Sequence, residues 1–280
     1  MSDLGYAQAV ALGVVQGLTE FLPISSSAHL ALTQRWMGLK PDGAAMLLFD
    51  VLAHLGTLAA VLIVFAASIR RFAVRCVAEC RGAARGRIVG WRIVGTGAVA
   101  TAVTGGIGLG FQKTFESAFD RPTWIAVGLL ITGALLGATA GVRRPRRSWR
   151  RWGGWQALVV GLAQGLAILP GISRSGATIC TALFLGLRRR WAGQFSFLIA
   201  VPAILAATGL KILETAGAGE VVLPMGTWGP VLVGSLVSFI VGMGALVVLL
   251  RIVERAQLHY FAVYCLAMGV FVLWMTAGRG

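Results

Sequence analysis

Apolar residues along this chain fall into long runs separated by short, arginine-rich connections. The runs at about 46–68, 88–111, 121–141, 194–214, 227–250 and 258–277 each reach the roughly 20 residues that a bilayer-spanning helix needs. Two other apolar stretches, about 5–38 and 155–188, are interrupted halfway, the first near Pro23 and the second at Leu169-Pro170-Gly171. Each piece is too short to cross comfortably, so each stretch reads as a re-entrant helical hairpin. Irregular backbone at membrane depth is tolerated only where it is buried in protein or lines a wet cavity. The pattern predicts an all-α polytopic membrane protein.

The interrupted stretches copy one another. Residues 13–30 read GVVQGLTEFLPISSSAHL and residues 161–178 read GLAQGLAILPGISRSGAT, and at an offset of 148 Gln16/Gln164, Gly17/Gly165, Ser25/Ser173 and Ser27/Ser175 coincide. Each half is then one hairpin plus three transmembrane helices, with the first repeat over 1–142 and the second over 143–280. A hairpin returns to the side it entered from, and three crossings is an odd number. The second half therefore starts on the opposite face, which makes the repeat inverted in topology and places a shared site near the midplane.

Composition and charge sharpen this picture. The chain is 57% hydrophobic and 12% charged, and a soluble domain carries about twice that charged fraction. The net charge of +15 does not point to nucleic acid, because the arginines sit in loops between apolar runs. Most of the basic residues fall on one side: Arg70, Arg71 and Arg75, those from Arg81 to Arg92, the cluster at 143–151, Arg188 to Arg190, Arg251 and Arg255. That side is expected to be cytoplasmic, which leaves both termini outside. No cleaved signal peptide is expected at MSDLGYAQAV. Trp36, Trp124, Trp155, Trp191 and Trp274 fall near span ends, as interface anchors do. The four cysteines make no disulfide framework: Cys76 and Cys80 are placed in a basic loop, Cys180 and Cys265 in apolar helices, all as reduced thiols.

Candidate chemistry gathers at the two breaks. Gln16 and Glu20 are four apart and share a helix face. A carboxylate at that depth is expensive and usually functional. Ser25, Ser26 and Ser27 open the next short helix, where hydroxyls either cap backbone N–H groups or help to cradle a phosphate. His29 follows Ser26 by one turn, so the two are a candidate nucleophile and base, although a lone histidine is more often only hydrogen-bonded. In the other hairpin Arg174 lies between Ser173 and Ser175 at a helix start. Its planar fork suits an oxyanion, and Glu20 is the alternative partner when the site is empty. Asp50 and His54, one turn apart, are either a second shell to this site or a plain polar stripe.

The stretches QGLTEFLPISSSAHL and LPGISRSGAT resemble the two signature motifs of the bacterial undecaprenyl-diphosphatase family of the bacitracin-resistance type. FDVLAHLGTLAAV and FSFLIAVPAI are also similar to family sequence, so the likeness covers most of the chain. Two positions depart from the pattern. Gln16 stands where a glutamate is common, and Ala28 replaces a usual glycine. The resemblance implies removal of the terminal phosphate from undecaprenyl diphosphate, giving the monophosphate carrier lipid for peptidoglycan synthesis. It also implies a divalent cation, Mg²⁺ or Ca²⁺. Carried over by position, Glu20, Ser26, His29 and Arg174 are the catalytic residues. Ser173, Arg174, Thr178 and Ser27 would hold phosphate oxygens, and Glu20 with Gln16 would hold the cation. The expected partners are the polyprenyl diphosphate lipid and the surrounding membrane lipids; the sequence leaves oligomeric state open, with a homodimer as one option. The rival is a lipid or solute transporter or flippase, because inverted repeats with broken helices are above all a transporter architecture. The soluble-type acid phosphatases share short Ser-x-x-His and Ser-Arg fragments, but their long lysine-to-arginine leader and late histidine–aspartate pair are missing here.

Overall fold

The computed structural model describes residues 4–40, 43–82, 89–119, 121–143, 145–217 and 225–277, and among them the chain is helical throughout. The helices are α1 (Tyr6–Phe21), α2 (Ser26–Trp36), α3 (Ala44–Val64), α4 (Ala66–Cys80), α5 (Gly90–Gly110), α6 (Gln112–Phe119), α7 (Pro122–Ala138), α8 (Gly154–Leu166), α9 (Arg174–Phe184), α10 (Arg189–Gly217), α11 (Met225–Glu254) and α12 (Tyr260–Ala277). Six of them, α3, α5, α7, α10, α11 and α12, are long and apolar enough to cross a membrane. Helices α1, α2, α8 and α9 have 16, 11, 13 and 11 residues, short of a crossing.

The breaks lie between α1 and α2 and between α8 and α9. Pro23 stands in the first, where its fixed φ and missing N–H stop α1 from continuing. Gly171 stands in the second with φ +90, and a Cβ there would overlap the Ile125 carbonyl of α7. Corresponding helices make corresponding contacts. Helix α1 packs on α11 and α8 on α5, while α7 packs on α12. Gly13 of α1 lets that helix approach the Gly234 backbone, and Gly161 of α8 does the same against Ala100. Each break is also gripped from outside its hairpin. Thr132 of α7 shares its hydroxyl proton between Gly128 O and Gly171 O (2.9 and 3.0 Å) and accepts from Ser173 N (2.9 Å). Cys265 of α12 reaches Pro23 O at 3.6 Å, and Pro23 is the position that corresponds to Gly171.

Two helices are absent from the hydropathy reading. The apolar run expected to reach residue 68 stops at Val64, and α4 follows after Phe65 as an amphipathic basic helix with Arg70, Arg71 and Arg75. Cys76 and Cys80 therefore sit on a helix and not in a loop. The end of α4 organises the start of α5. Glu79 Oε1 accepts from the backbone N–H groups of Val89 (3.0 Å) and Gly90 (2.8 Å), and Oε2 accepts from Trp91 N (3.1 Å). Donors left unpaired at a helix start are satisfied in this way by a carboxylate that also suits the helix dipole. The short α6 is the second missed element. The arginine-rich connection before α8 is anchored: Arg147 pairs with Leu187 as an isolated parallel bridge, and Trp149 and Trp152 are buried against Phe195.

Candidate active site

The two breaks meet at Glu20. This side chain lies in the last turn of α1 and is 2% exposed. Its Oε2 accepts from Ser26 Oγ at 2.7 Å and from Gln16 Nε2 at 3.1 Å. Its Oε1 accepts from Arg174 Nη2 across the two hairpins. His54 Nε2 of α3 stands 3.6 Å from Oε2. Ser26 and Arg174 are the first residues of α2 and α9 and occupy corresponding positions in the repeated motif. Two helix N-termini thus aim a hydroxyl and a guanidinium at one buried carboxylate. A charge so placed is tolerable only when it is paired and hydrogen-bonded.

His29 faces elsewhere. Its Nδ1 lies 2.8 Å from Ser25 O, and a carbonyl can only accept, so Nδ1 carries the proton. Its Nε2 lies 2.6 Å from the Tyr264 hydroxyl of α12, and the two rings stack at 5.6 Å with an interplanar angle of 18°. In the neutral tautomer so defined, Tyr264 O–H donates to Nε2. Ser25, which offers the carbonyl, has φ +71, a left-handed backbone uncommon for a residue other than glycine. Ser26 and His29 share a helix face, but the hydrogen bonds of Ser26 run to Glu20 and those of His29 to Ser25 and Tyr264.

The hydroxyls of the second break are mostly engaged with one another. Ser173 caps α9 by accepting from Gly176 N (3.1 Å), and its Oγ lies 3.2 Å from Ser175 Oγ. In the first break the corresponding Ser25 and Ser27 hydroxyls lie 3.3 Å apart. Thr178 is fully buried, and its hydroxyl meets Arg174 O at 2.8 Å and Ser196 Oγ at 2.5 Å. In this state Thr178 orders the first turn of α9 behind Arg174. Around Glu20, His54 Nδ1 donates to Asp50 O (2.7 Å), which leaves Nε2 as the atom turned to the carboxylate. The Asp50 carboxylate instead accepts from Gln34 Nε2 (2.8 Å). Asp50 thus reaches the site through its backbone and His54 through its ring. A small cleft opens beside Glu20 and Arg174 between α3 and α10, lined by Thr57, Val61, Ser196, Phe197 and Ala200.

Gln16 Oε1 is buried with no hydrogen-bond partner among the described residues. It stands one turn from the Glu20 carboxylate and its amide already touches it. These are hard oxygen donors of the kind that Mg²⁺ and Ca²⁺ prefer. Among the described residues no group of three or more His, Cys, Asp or Glu side chains could hold a metal ion. A divalent cation at this place would have the Gln16 and Glu20 oxygens as its side-chain ligands. Sequence reasoning missed Tyr264, Ser196 and Thr132. The available signal was a polar side chain in an apolar helix, which usually faces the protein interior.

The chain is similar to known proteins along nearly its whole length. The profile of the family described as "Bacitracin resistance protein BacA" matches residues 9–271. The "Undecaprenyl-diphosphatase" of Desulfatibacillum aliphaticivorans is 44% identical over 279 residues, covering 96% of this chain and 98% of its own. That of Halorhodospira halophila is 40% identical over 281 residues, with 95% and 96% covered. That of Korarchaeum cryptofilum is 43% identical over 279 residues, with 95% and 98% covered.

Proposed function

The chain belongs to the bacitracin resistance protein BacA family, and from that premise we propose that it is an integral-membrane phosphatase. It hydrolyses undecaprenyl diphosphate to undecaprenyl phosphate and inorganic phosphate, recycles the carrier lipid for peptidoglycan synthesis and thereby confers bacitracin resistance. The observation that carries this reading is the convergence of Arg174 and Ser26 on Glu20. Arg174 is held where an incoming phosphate can take over its fork, and Ser26 is held where its oxygen can face phosphorus.

In this mechanism the terminal phosphate enters the Glu20–Arg174 cleft with the prenyl tail along the apolar wall. Arg174 exchanges Glu20 for phosphate oxygens and stabilises the charge that spreads over them in the transition state. Ser173, Ser27 and the N-terminus of α9 offer further donors, and Thr178 keeps Arg174 in place. Ser26 attacks phosphorus or orients the attacking water, and its proton is first directed at Glu20. His29 moves a proton through Nε2, because Nδ1 is committed to Ser25 O. Water adds one oxygen to the terminal phosphorus, the bridging P–O bond breaks, and the lipid monophosphate leaves. Gln16 and Glu20 would hold a divalent cation, which supplies charge neutralisation at the diphosphate.

The same reading takes each half as a re-entrant hairpin plus three crossings, inverted relative to the other, in the cytoplasmic membrane of a bacterium. The basic loops then face the cytoplasm and both termini face out. The corresponding contacts of α1 on α11 and α8 on α5 support it.

Purified protein in detergent, given undecaprenyl or farnesyl diphosphate, is expected to release phosphate and to lose that activity with EDTA. Tight lipid binding without any release would replace this reading by the transporter. Trapping with substrate labelled in the terminal phosphate decides the role of Ser26: labelled enzyme that persists in Ser26→Ala would remove it as nucleophile.

A further inference from the structure

His29 and Tyr264 lie 235 residues apart, and nothing in the reaction just described uses the tyrosine. Its hydroxyl is nevertheless the partner of the one ring nitrogen that can do chemistry. Nδ1 is tied to Ser25 O, and that carbonyl is aimed by the left-handed backbone of Ser25. The ring is therefore clamped at both ends, by the chain of its own break at Nδ1 and by α12 at Nε2.

The internal repeat gives a control for this contact. Thr132 grips Gly171 O and Cys265 grips Pro23 O, so Thr132 of α7 and Cys265 of α12 hold corresponding points of the two breaks. The preceding residues are Ile131 and Tyr264. The residue of the second hairpin that corresponds to His29 is Ala177. The tyrosine thus stands where the histidine stands, and an apolar pair stands in the other half. A tyrosine needed only for packing would have no reason to follow the imidazole.

We infer that Tyr264 is a positioning residue for His29: it holds the imidazole by a hydrogen bond to Nε2 and keeps that nitrogen turned out of α2. The inference rests on the phosphatase reading for its consequence, but the contact itself does not. In the neutral ring the phenol donates to Nε2, and once the ring is protonated it can turn and accept from Nε2–H. Removing the hydroxyl therefore alters the balance between the two protonation states and leaves the ring unheld at Nε2. Few other groups compete for this effect. Helix α7 carries no ionisable side chain over Pro122–Ala138. On α12 the ionisable groups are Tyr260, Tyr264 and Cys265, on α2 the other is Arg35, and Glu20 of α1 is held by Arg174, Ser26 and Gln16.

The variant that tests this is Tyr264→Phe, which keeps the stacked ring and removes only the hydroxyl. The full chain is taken in detergent with ¹⁵N-labelled histidine. It contains 3 histidines, and His29→Gln identifies the resonance of His29. The titration midpoint of His29 is expected to shift in Tyr264→Phe by about half to one pH unit, the equivalent of one ordinary hydrogen bond. The acid limb of kcat/KM for undecaprenyl diphosphate should shift by the same amount in the same direction, with KM little changed. A His29 resonance that does not respond to loss of the hydroxyl overturns the inference. So does a shifted resonance with an unmoved acid limb, since Tyr264 would then touch His29 without serving the reaction. Failure of the wild-type chain to release any phosphate would instead sink the phosphatase reading, and the His29 resonance would still decide whether Tyr264 holds the ring.

Discussion

Arg174 is the side chain whose replacement separates charge from geometry. Lysine keeps the positive charge but loses the planar fork that matches two phosphate oxygens. If Arg174 holds the transferring phosphate, Arg174→Lys should lower kcat by about 10- to 100-fold and Arg174→Ala by about 10³-fold, in line with the loss of preorganised donors at a transition state. Phosphate release under saturating lipid measures both, and equal activity of Arg174→Lys and wild type would assign the arginine to pairing with Glu20 alone. This pairing was legible in the sequence, because two ionisable groups in matched apolar breaks have few other partners. The hydrogen bond from Ser26 to Glu20 was not, since it spans six residues across a turn whose path only the fold sets. Tyr264 was hidden for a related reason: on a helix apolar nearly throughout, a tyrosine looks like an interface anchor until its neighbour is known.

At the scale of elements, the breaks were readable because proline and glycine interrupt hydropathy, and α4 was not because hydropathy is the wrong measure for it. An amphipathic helix with three arginines leaves no apolar run and fades into a basic loop. Its role appears only with Glu79, whose carboxylate is held at a pKa of about 2, mainly by the Gly90 N–H and then by those of Trp91 and Val89. A depressed pKa means that this cap is fully formed above the ordinary carboxylate range and is lost as pH falls toward 2. Hydrogen exchange at the Gly90 and Trp91 amides, corrected for intrinsic rates, should lose protection between about pH 4 and 2, within the window set by the free and bound carboxylate. In Glu79→Gln the protection should be low at every pH. The second break allows a contrast between two glycines. Gly171→Ala meets both a left-handed φ and the Ile125 carbonyl, while Gly186 at φ +87 faces only the flexible Arg147 side chain. Gly186→Ala should cost about 1–2 kcal/mol, and Gly171→Ala clearly more, with phosphate release falling along with the melting temperature because Ser173 and Arg174 follow directly. Equal melting temperatures for the two variants would mean that α7 does not clamp the break.

For the whole molecule, the repeat and the loop charges make one joint statement about orientation. If each half crosses three times, corresponding ends of the two halves lie on opposite faces, and the basic ends lie inside. Helix α4, at the end of the first crossing, then lies on the cytoplasmic side, and the turn after α2 lies outside. Two exposed positions report these faces: Cys80 at the end of α4 and Lys40 after α2. With Cys76, Cys180 and Cys265 replaced by serine, Cys80 should resist a membrane-impermeant maleimide in intact cells and react once the inner membrane is permeabilised. With Cys80 also replaced, Lys40→Cys should react in intact cells, once any outer membrane is made permeable to the reagent. Reaction of Cys80 before permeabilisation would put the arginines outside. Labelling of both positions from one face would leave an even number of crossings between them, and the inverted relation between the halves would fail with it. The expected pattern turns the mouth of the α1–α2 hairpin to the outer face and that of α8–α9 to the inner one. A carboxylate from one hairpin and a guanidinium from the other could then meet only within the bilayer, where neither can be left without a partner and where a lipid diphosphate must go to displace the pairing.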